Sequence, residues 1–347
     1  MSGEKPIRLG IIGCGQATQA HHLPAIRSTG AFRVEAVADI DEERARRTAD
    51  AFHVQRWFKS YREMLPLVDA VAVATTTPSH ADIAVEALEH GLDVLLEKPM
   101  AMTLPECGRI ADVTARSRRV LLVAHNARWH RLAARVRQIV LSGRLGPIQA
   151  VQSLYTHNNP YWRNHWHQRR ELGGGVLFND GVHHFDLWRW LLGAEVLEAR
   201  CFTADSERFE DDACVVAARL SNGALAAATF SFSTRAASEV EIFGTRAALL
   251  LDLYRFDGLR LRQAHELPGS PLVRLKDAMR PLRLLPSGLG QAFNGGGFES
   301  TYAAMWRHFA RCVRRQTEPL CTAADGRAAV AAALMCRGQA GGEAHVS

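Results

Sequence analysis

From residue 7 to about residue 125, short apolar runs alternate with helix-length segments, and this alternation limits the architecture more than any other feature of the chain. The runs are IRLGII, RVEAVAD, DAVAVAT, LDVLLEK and VLLVAH, separated by stretches such as EERARRTADAF and HADIAVEALEHG. Near-continuous Val, Leu, Ile and Ala runs are what strands covered on both faces look like, and helical crossovers between them imply a parallel sheet. Residues 1–125 are therefore expected to form a doubly wound α/β domain.

After residue 126 the pattern changes. One helical segment, HRLAARVRQIVLSG, ends at a glycine, and strand-like runs follow: IQAVQSLY, EVLEARCFT, ACVVAARLS, GALAAATFSFS, SEVEIFGT and ALLLDL. Strands joined by short turns such as SNG predict a large, mostly antiparallel sheet, so residues 126–347 are expected to form an α+β domain whose open sheet face supports self-association. Residues 264–297, rich in Pro, Gly and Arg, read as a long excursion, after which FESTYAAMWRHFARCVRR resumes a helix. A chain of 347 residues is long enough for two cores, and two domains make a cleft.

Composition narrows the function classes. At 47% hydrophobic and 22% charged, the chain is an ordinary globular sequence. No apolar run reaches the roughly 18 residues of a membrane span, and MSGEKPIRLGII lacks a signal-peptide core, so a cytoplasmic protein with no membrane partner is expected. Seven widely spaced cysteines with no C-x-x-C pair indicate neither a disulfide framework nor a zinc knuckle. The net charge of +6 comes from scattered Lys and Arg, which argues against nucleic acid and suits an anionic cofactor or a phosphorylated substrate.

LGIIGCGQAT puts Gly13 and Gly15 directly after the first strand and at the start of a helix, the context that gives a glycine fingerprint its meaning. Gly13 would allow the tight turn and Gly15 the approach of backbone to a pyrophosphate, with Gln16, Ala17 and Thr18 at the helix N-terminus. Thr18 replaces the third glycine, and its hydroxyl can exchange packing for a hydrogen bond. Asp39 closes the second strand, where an acid accepts hydrogen bonds from the adenosine ribose; this favours NAD, while Arg44 and Arg46 keep NADP open. Asp41 is an equal candidate for capping the next helix. Thr75, Thr76 and His80 in TTTPSH, with Glu97 and Lys98, complete the cofactor candidates. LLEKPM ends the fifth strand, so Glu97 and Lys98 point to opposite faces. Lys98 is the one expected to bind the alcohol oxygen, and its bond to Pro99 is a candidate for the cis isomer.

With IGCGQATQAHHLPAI, AVADIDEERA, TTTPSHADIAVEALEHGLDVLLEKPMA and GGGVLFNDGVHHFDLWRWLLG in order, the chain resembles the glucose-fructose oxidoreductase and inositol dehydrogenase family, Gfo/Idh/MocA, over nearly its whole length. The resemblance implies an N-terminal Rossmann domain, a C-terminal domain with an open sheet used for homodimers or homotetramers, and nicotinamide-dependent redox chemistry on sugars or cyclitols. It places Lys98 at the family's catalytic lysine and His183 at its catalytic histidine. Where the family motif commonly has Asp, this chain has Asn179.

GGGVLFNDGVHHFDLWRW reads as a helix starting after the glycines, in which Asn179 and His183 share a face with Asp186 and Trp190, and Asp180 shares the neighbouring face with His184. Asn179 cannot titrate but can orient a hydroxyl, which leaves His183 as the base and Asp180 as its reserve; Asp186 is a candidate to orient the imidazole. Substrate contacts are expected from Arg128 in HNARW and from Tyr161, Trp162 and Arg163 in YTHNNPYWRNHWHQRRELGGG, with Asn179, Asp180 and His183. No H-x-x-x-H or H-E-x-x-H pattern occurs, and no metal is expected. The expected activity is an NAD-dependent sugar or cyclitol dehydrogenase or ketoreductase. Its rivals are an NAD-retaining glycosidase and a non-catalytic nicotinamide sensor.

Overall fold

The computed structural model describes residues 5–158, 166–255, 257–267, 269–292 and 297–338. Two compact units divide it. The first gathers Met1–Asn126, Glu171–Gly173 and Tyr302–Ala331, and the second Ala127–Arg170, Gly174–Thr301 and Ala332–Ser347.

In the first unit the chain runs β1 (Ile7–Ile12), α1 (Leu23–Thr29), β2 (Phe32–Ala38), α2 (Glu42–Phe52), β3 (Arg56–Phe58), β4 (Ala70–Val73), α3 (His80–Glu89), β5 (Asp93–Leu96), α4 (Leu104–Ser117) and β6 (Leu121–Val123). The six strands are all parallel, in the order β3-β2-β1-β4-β5-β6. Leu9, Ile11, Val71, Val73, Leu95 and Leu96 have no solvent exposure, as expected of strands packed on both faces. Each such side chain contributes about 1.5–3 kcal/mol through burial. The order reverses between β1 and β4, and that switch point opens a crevice at the carboxyl ends of the strands. Local signals set the helices: Asp41 caps α2 by accepting from Arg44 N at 3.0 Å, and Thr103 and Glu106 form a capping box on α4.

The second unit contains α5 (Arg131–Leu141), β7 (Ile148–Asn158), α6 (Val182–Leu192), β8 (Val196–Ala204), β9 (Ala213–Leu220), β10 (Leu225–Ser231), β11 (Ser233–Gly244), β12 (Ala247–Asp252), β13 (Leu259–Gln263) and α7 (Pro271–Ala292). Two further helices, α8 (Gly297–Val313) and α9 (Ala323–Cys336), contribute residues to both units. The seven-stranded sheet has the order β13-β12-β11-β7-β10-β9-β8, antiparallel except where β7 meets β10 in parallel. Along β9 and β10 buried and exposed residues alternate, so one face is covered and the other open. Helix α6 packs on the covered face, where Trp188 Nε1 donates to Ser153 Oγ of β7 at 2.9 Å and the Phe185 ring meets Phe230 edge-on.

The excursion expected over 264–297 is largely the 22-residue helix α7. Val273, Asp277 and Arg280 lie toward the rest of the unit, and Leu272, Leu275, Met279 and Leu282 lie outward, at helical spacings that the Pro and Gly content of the segment obscures.

Candidate functional site

The first loop of the parallel sheet turns on glycine. Gly13 has φ +96°, and a Cβ there would stand 2.5 Å from the carbonyl oxygen of Ala74, so only glycine fits this turn. Gly15 has no atom within 4 Å of where its Cβ would be, which leaves the backbone open to close approach. The helix after it begins with a π turn, Thr18–His22, that runs into α1. Thr18 Oγ1 donates to Gly13 O at 2.6 Å and Gln19 Nε2 to Cys14 O at 2.7 Å. The threonine in place of a third glycine thus ties down the loop, as its hydroxyl allowed. These side chains occupy the carbonyls of Gly13 and Cys14, and the amides of Gln16, Ala17 and Thr18 open the helix, where backbone N–H groups lack intrahelical partners.

Asp39 stands at the end of β2 beside that loop, only 8% exposed. Its Oδ2 accepts from Cys14 N at 2.8 Å and its Oδ1 from Asp41 N at 2.9 Å. A carboxylate has about four acceptor sites, so two are left after these bonds. Arg44 lies 3.5 Å from Asp39 and 3.0 Å from Asp41, and Arg46 pairs with Glu43 at 2.8 Å. Both arginines that bear on NADP are thus engaged by local carboxylates.

At the ends of β4 and β5, Thr75 and Thr76 are half-buried, and Thr75 Oγ1 accepts from Ser79 Oγ at 2.8 Å. His80, counted among the cofactor contacts, is 1% exposed and its two ring nitrogens face Pro99 O at 2.8 Å and Thr75 O at 3.1 Å. Burial lowers its pKa from the usual value, against the two carbonyls, which raise it. The ring braces the Thr75 and Pro99 loops from the inside. The Lys98–Pro99 bond is cis.

Glu97 is buried, and a string of hydrogen bonds that no local sequence pattern announces holds it. Trp306 Nε1 donates to His22 Nδ1 at 3.2 Å, which puts the imidazole proton on Nε2, and Nε2 donates to Glu97 Oε1 at 2.8 Å. Burial alone would raise the Glu97 pKa. The hydrogen bond from His22 and the charge of Lys98 outweigh it and hold the carboxyl below its ordinary value. Glu97 Oε2 in turn accepts from Lys98 N at 3.1 Å. From Leu92 to Ala101, Lys98 is the only residue that is not buried.

In the second unit, the expected helix after the glycines starts one turn differently. Residues Leu177–Gly181 form a π turn, and α6 begins at Val182. The wider turn breaks the four-residue phase on which Asn179 and His183 were expected to share a face. Asn179 Nδ2 instead donates to Asp180 Oδ1 at 2.9 Å, and Asp180 Oδ2 is paired with His157 Nε2 of β7 at 2.8 Å. Asn179 and Asp180 are 3% and 4% exposed, so both sit inside the unit. His157 was not singled out in the sequence, where nothing relates it to a residue 23 positions away. From Gly174 to Trp188, His183 is the only residue that is not buried, while His184 is sealed between the rings of Tyr155 and Phe230.

Arg128 and Asp186 find each other. The guanidinium donates to both carboxylate oxygens, at 2.8 and 2.5 Å, and the two side chains are 3% and 1% exposed. Asp186 is thereby taken up with Arg128 rather than orienting an imidazole, and Arg128, expected to contact substrate, is a buried tie between the start of α5 and the middle of α6. Tyr161, Trp162 and Arg163 lie outside the described residues.

Three comparisons bear on this geometry. Residues 7–125 match the model of an oxidoreductase family with an NAD-binding Rossmann fold, and residues 133–250 match the GFO/IDH/MocA C-terminal domain. An oxidoreductase of Rhizobium meliloti, ORF334, is 32% identical over 249 residues, 71% of this chain and 74% of that one. The 1,5-anhydro-D-fructose reductase of Ensifer adhaerens is 31% identical over 70% of this chain and 75% of its own. Among solved structures, levoglucosan dehydrogenase in complex with NADH and levoglucosan shares the fold with a TM-score of 0.82 at 22% identity, covering 97% of both chains.

Proposed function

We propose, since the chain belongs to the GFO/IDH/MocA family of oxidoreductases with an NAD-binding Rossmann fold, that it is an NAD-dependent dehydrogenase acting on a secondary alcohol, or the matching ketone, of a sugar, cyclitol or sugar-containing metabolite. The observation that carries this reading is a repeated exposure pattern. Each unit has one buried run broken by one titratable side chain, Lys98 in residues 92–101 and His183 in residues 174–188. Long charged and imidazole side chains that escape such runs have a task outside the core.

The residues present fit the cofactor. Gly15 is open where a pyrophosphate would approach, the amides of Gln16 to Thr18 open the helix that follows, and Asp39 has acceptor sites left for ribose hydroxyls. Arg44 and Arg46 are engaged by carboxylates, which supports NAD over NADP. Bound there, NAD supplies the hydride acceptor. In the oxidative direction the Lys98 ammonium donates a hydrogen bond to the alcohol oxygen and steadies the charge that develops on it. An imidazole nitrogen of His183 accepts the hydroxyl proton and, in reduction, returns it. The bonded string Asn179, Asp180 and His157 holds the turn that leads into α6, which carries His183, so Asn179 acts as a positioning residue. Glu97, fixed by His22, anchors the Lys98 backbone.

Relatives that reduce anhydrofructose or oxidise levoglucosan by name make sugars the first panel. A screen of sugars, anhydrosugars and cyclitols for NADH formation tests the reading, with NADP run beside it. Lys98→Ala is expected to lower kcat by about 10²-fold or more while NAD still binds. Turnover that survives this substitution sinks the mechanism. The open face of the seven-stranded sheet is the proposed contact of a homodimer or homotetramer.

A further inference from the structure

We propose that the second unit carries a separate pocket for a phosphate group, walled by α5 and α7. The cavity measures about 430 Å³ and is lined by Arg131, Arg135 and Gln138 of α5, Arg280 of α7, and Asp257 and Leu259 beside β13. The α5 residues stand at i, i+4 and i+7, so they share one helical face. Arg280 approaches from the opposite wall.

Charge in the pocket does not balance within the protein. Asp257 is held by Arg255 through two bonds, at 2.8 and 2.9 Å, and Asp277 by Arg262 at 3.1 Å. The two carboxylates that bear on Arg280 are therefore each claimed by another guanidinium. Nη1 of Arg280 is buried from solvent and has no hydrogen-bond partner among the described residues. Burial, and then the like charge of Arg260, lowers its pKa from the ordinary arginine value. A buried N–H without an acceptor costs free energy, and a helix that turns such a group inward while Leu272, Leu275, Met279 and Leu282 face out is arranged against its own solvation.

An anion removes this conflict. A phosphate group has enough acceptor oxygens to meet guanidinium forks from both walls, and its double charge matches the surplus of arginines. Leu259 and Leu284 give the pocket an apolar edge that an ester's carbon body can cover. The pocket uses no residue of the proposed redox chemistry, so its fate and that of the dehydrogenase reading are independent.

Thermal unfolding of the full chain tests it, at constant ionic strength, with inorganic phosphate in one arm and glycerol 3-phosphate in another, chloride and citrate serving as controls. Saturating phosphate is expected to raise Tm by about 2–4 °C. Arg135→Gln, on an exposed helical position that folding does not need, and Arg280→Gln should each remove most of that rise, and the double variant all of it. Arg116→Gln, an exposed arginine of α4, should keep it. A larger rise with the ester than with phosphate identifies a phosphorylated metabolite as the ligand, and the reverse identifies free phosphate. No rise in the unaltered protein, a rise that persists in the double variant, or a response to citrate alone overturns the proposal.

Discussion

An imidazole sealed among apolar groups gives up its proton, and two histidines of the second unit are sealed in this way. His184 is 2% exposed, and burial pushes its pKa down to about 4 despite the pull of Asp180. His130 falls to about 4 through burial and the charge of Arg131. In the unfolded chain both titrate near 6.5, so between pH 6.5 and 4 the unfolded state binds protons that the folded state refuses. Stability is then fully present above pH 6.5 and is lost as pH falls through the window toward 4, by up to about 3 kcal/mol per histidine. Denaturant unfolding between pH 4 and 7 should record this slope, and His184→Phe, which keeps a ring against Tyr155 and Phe230, should make it shallower. An unchanged slope in the variant removes His184 from the account. The adjacent His183 and His184 differ in burial, yet in the sequence only the motif order and an assumed helical phase separate them. The motif order singled out His183, and the phase argument fails because a π turn precedes α6. Likewise Arg128 and Asp186 were each legible as polar residues near a site, but their mutual bond joins positions 58 apart, which no local pattern encodes.

At the scale of elements, two helices that follow glycine-containing loops open with a π turn, Thr18–His22 before α1 and Leu177–Gly181 before α6. Such turns re-aim side chains by one residue and concentrate at functional places. The two glycines of the first loop do different work, and substitution separates them. Gly13→Ala forces a Cβ against Ala74 O at positive φ, so it should destabilise the fold by about 1–3 kcal/mol. Gly15→Ala meets no atom of the protein and should leave Tm near its starting value while weakening NAD binding tenfold or more. Melting curves paired with NAD titrations check both, and a Gly15→Ala protein that binds NAD normally would contradict the assignment. Strands whose two faces are buried announce themselves as apolar runs, which is why β1, β2, β4, β5 and β6 were readable. β3 is three residues long and mostly exposed, and carries no such run. α7 hid behind its prolines and glycines, and α9 behind AAVAAALM, which is apolar on every side and has no helical period to read.

Across the whole molecule, the open face of the seven-stranded sheet is where the proposed self-association can be tested. Register places Phe202, Val215, Thr229 and Leu154 in one row across β8, β9, β10 and β7, with Arg200, Ala217, Ala227 and Gln152 in the next. Phe202 is 87% exposed, Val215 55% and Leu225 54%, and small residues between them keep the surface flat. Exposed apolar side chains with polar neighbours such as Arg200, Gln152 and Thr229 suit a sheet face that is matched by a second copy of itself about a two-fold axis. The alternating pattern of β9 and β10 made an open face readable, but the cross-strand register that gathers its apolar members comes only with the fold. Phe202→Glu puts a charge within such a contact, on the edge strand β8, and leaves the core alone, because the side chain already lies in solvent. Light scattering on a sizing column should therefore give a multiple of 38.3 kDa for the unaltered protein and a shift toward 38.3 kDa for the variant, with its melting curve otherwise retained. A protein that elutes as a monomer at micromolar concentration without any substitution would leave the apolar rows to some other partner. A variant that stays oligomeric would move the contact to a different surface, since one carboxylate per chain, buried without a partner in a two-fold contact, costs several kcal/mol.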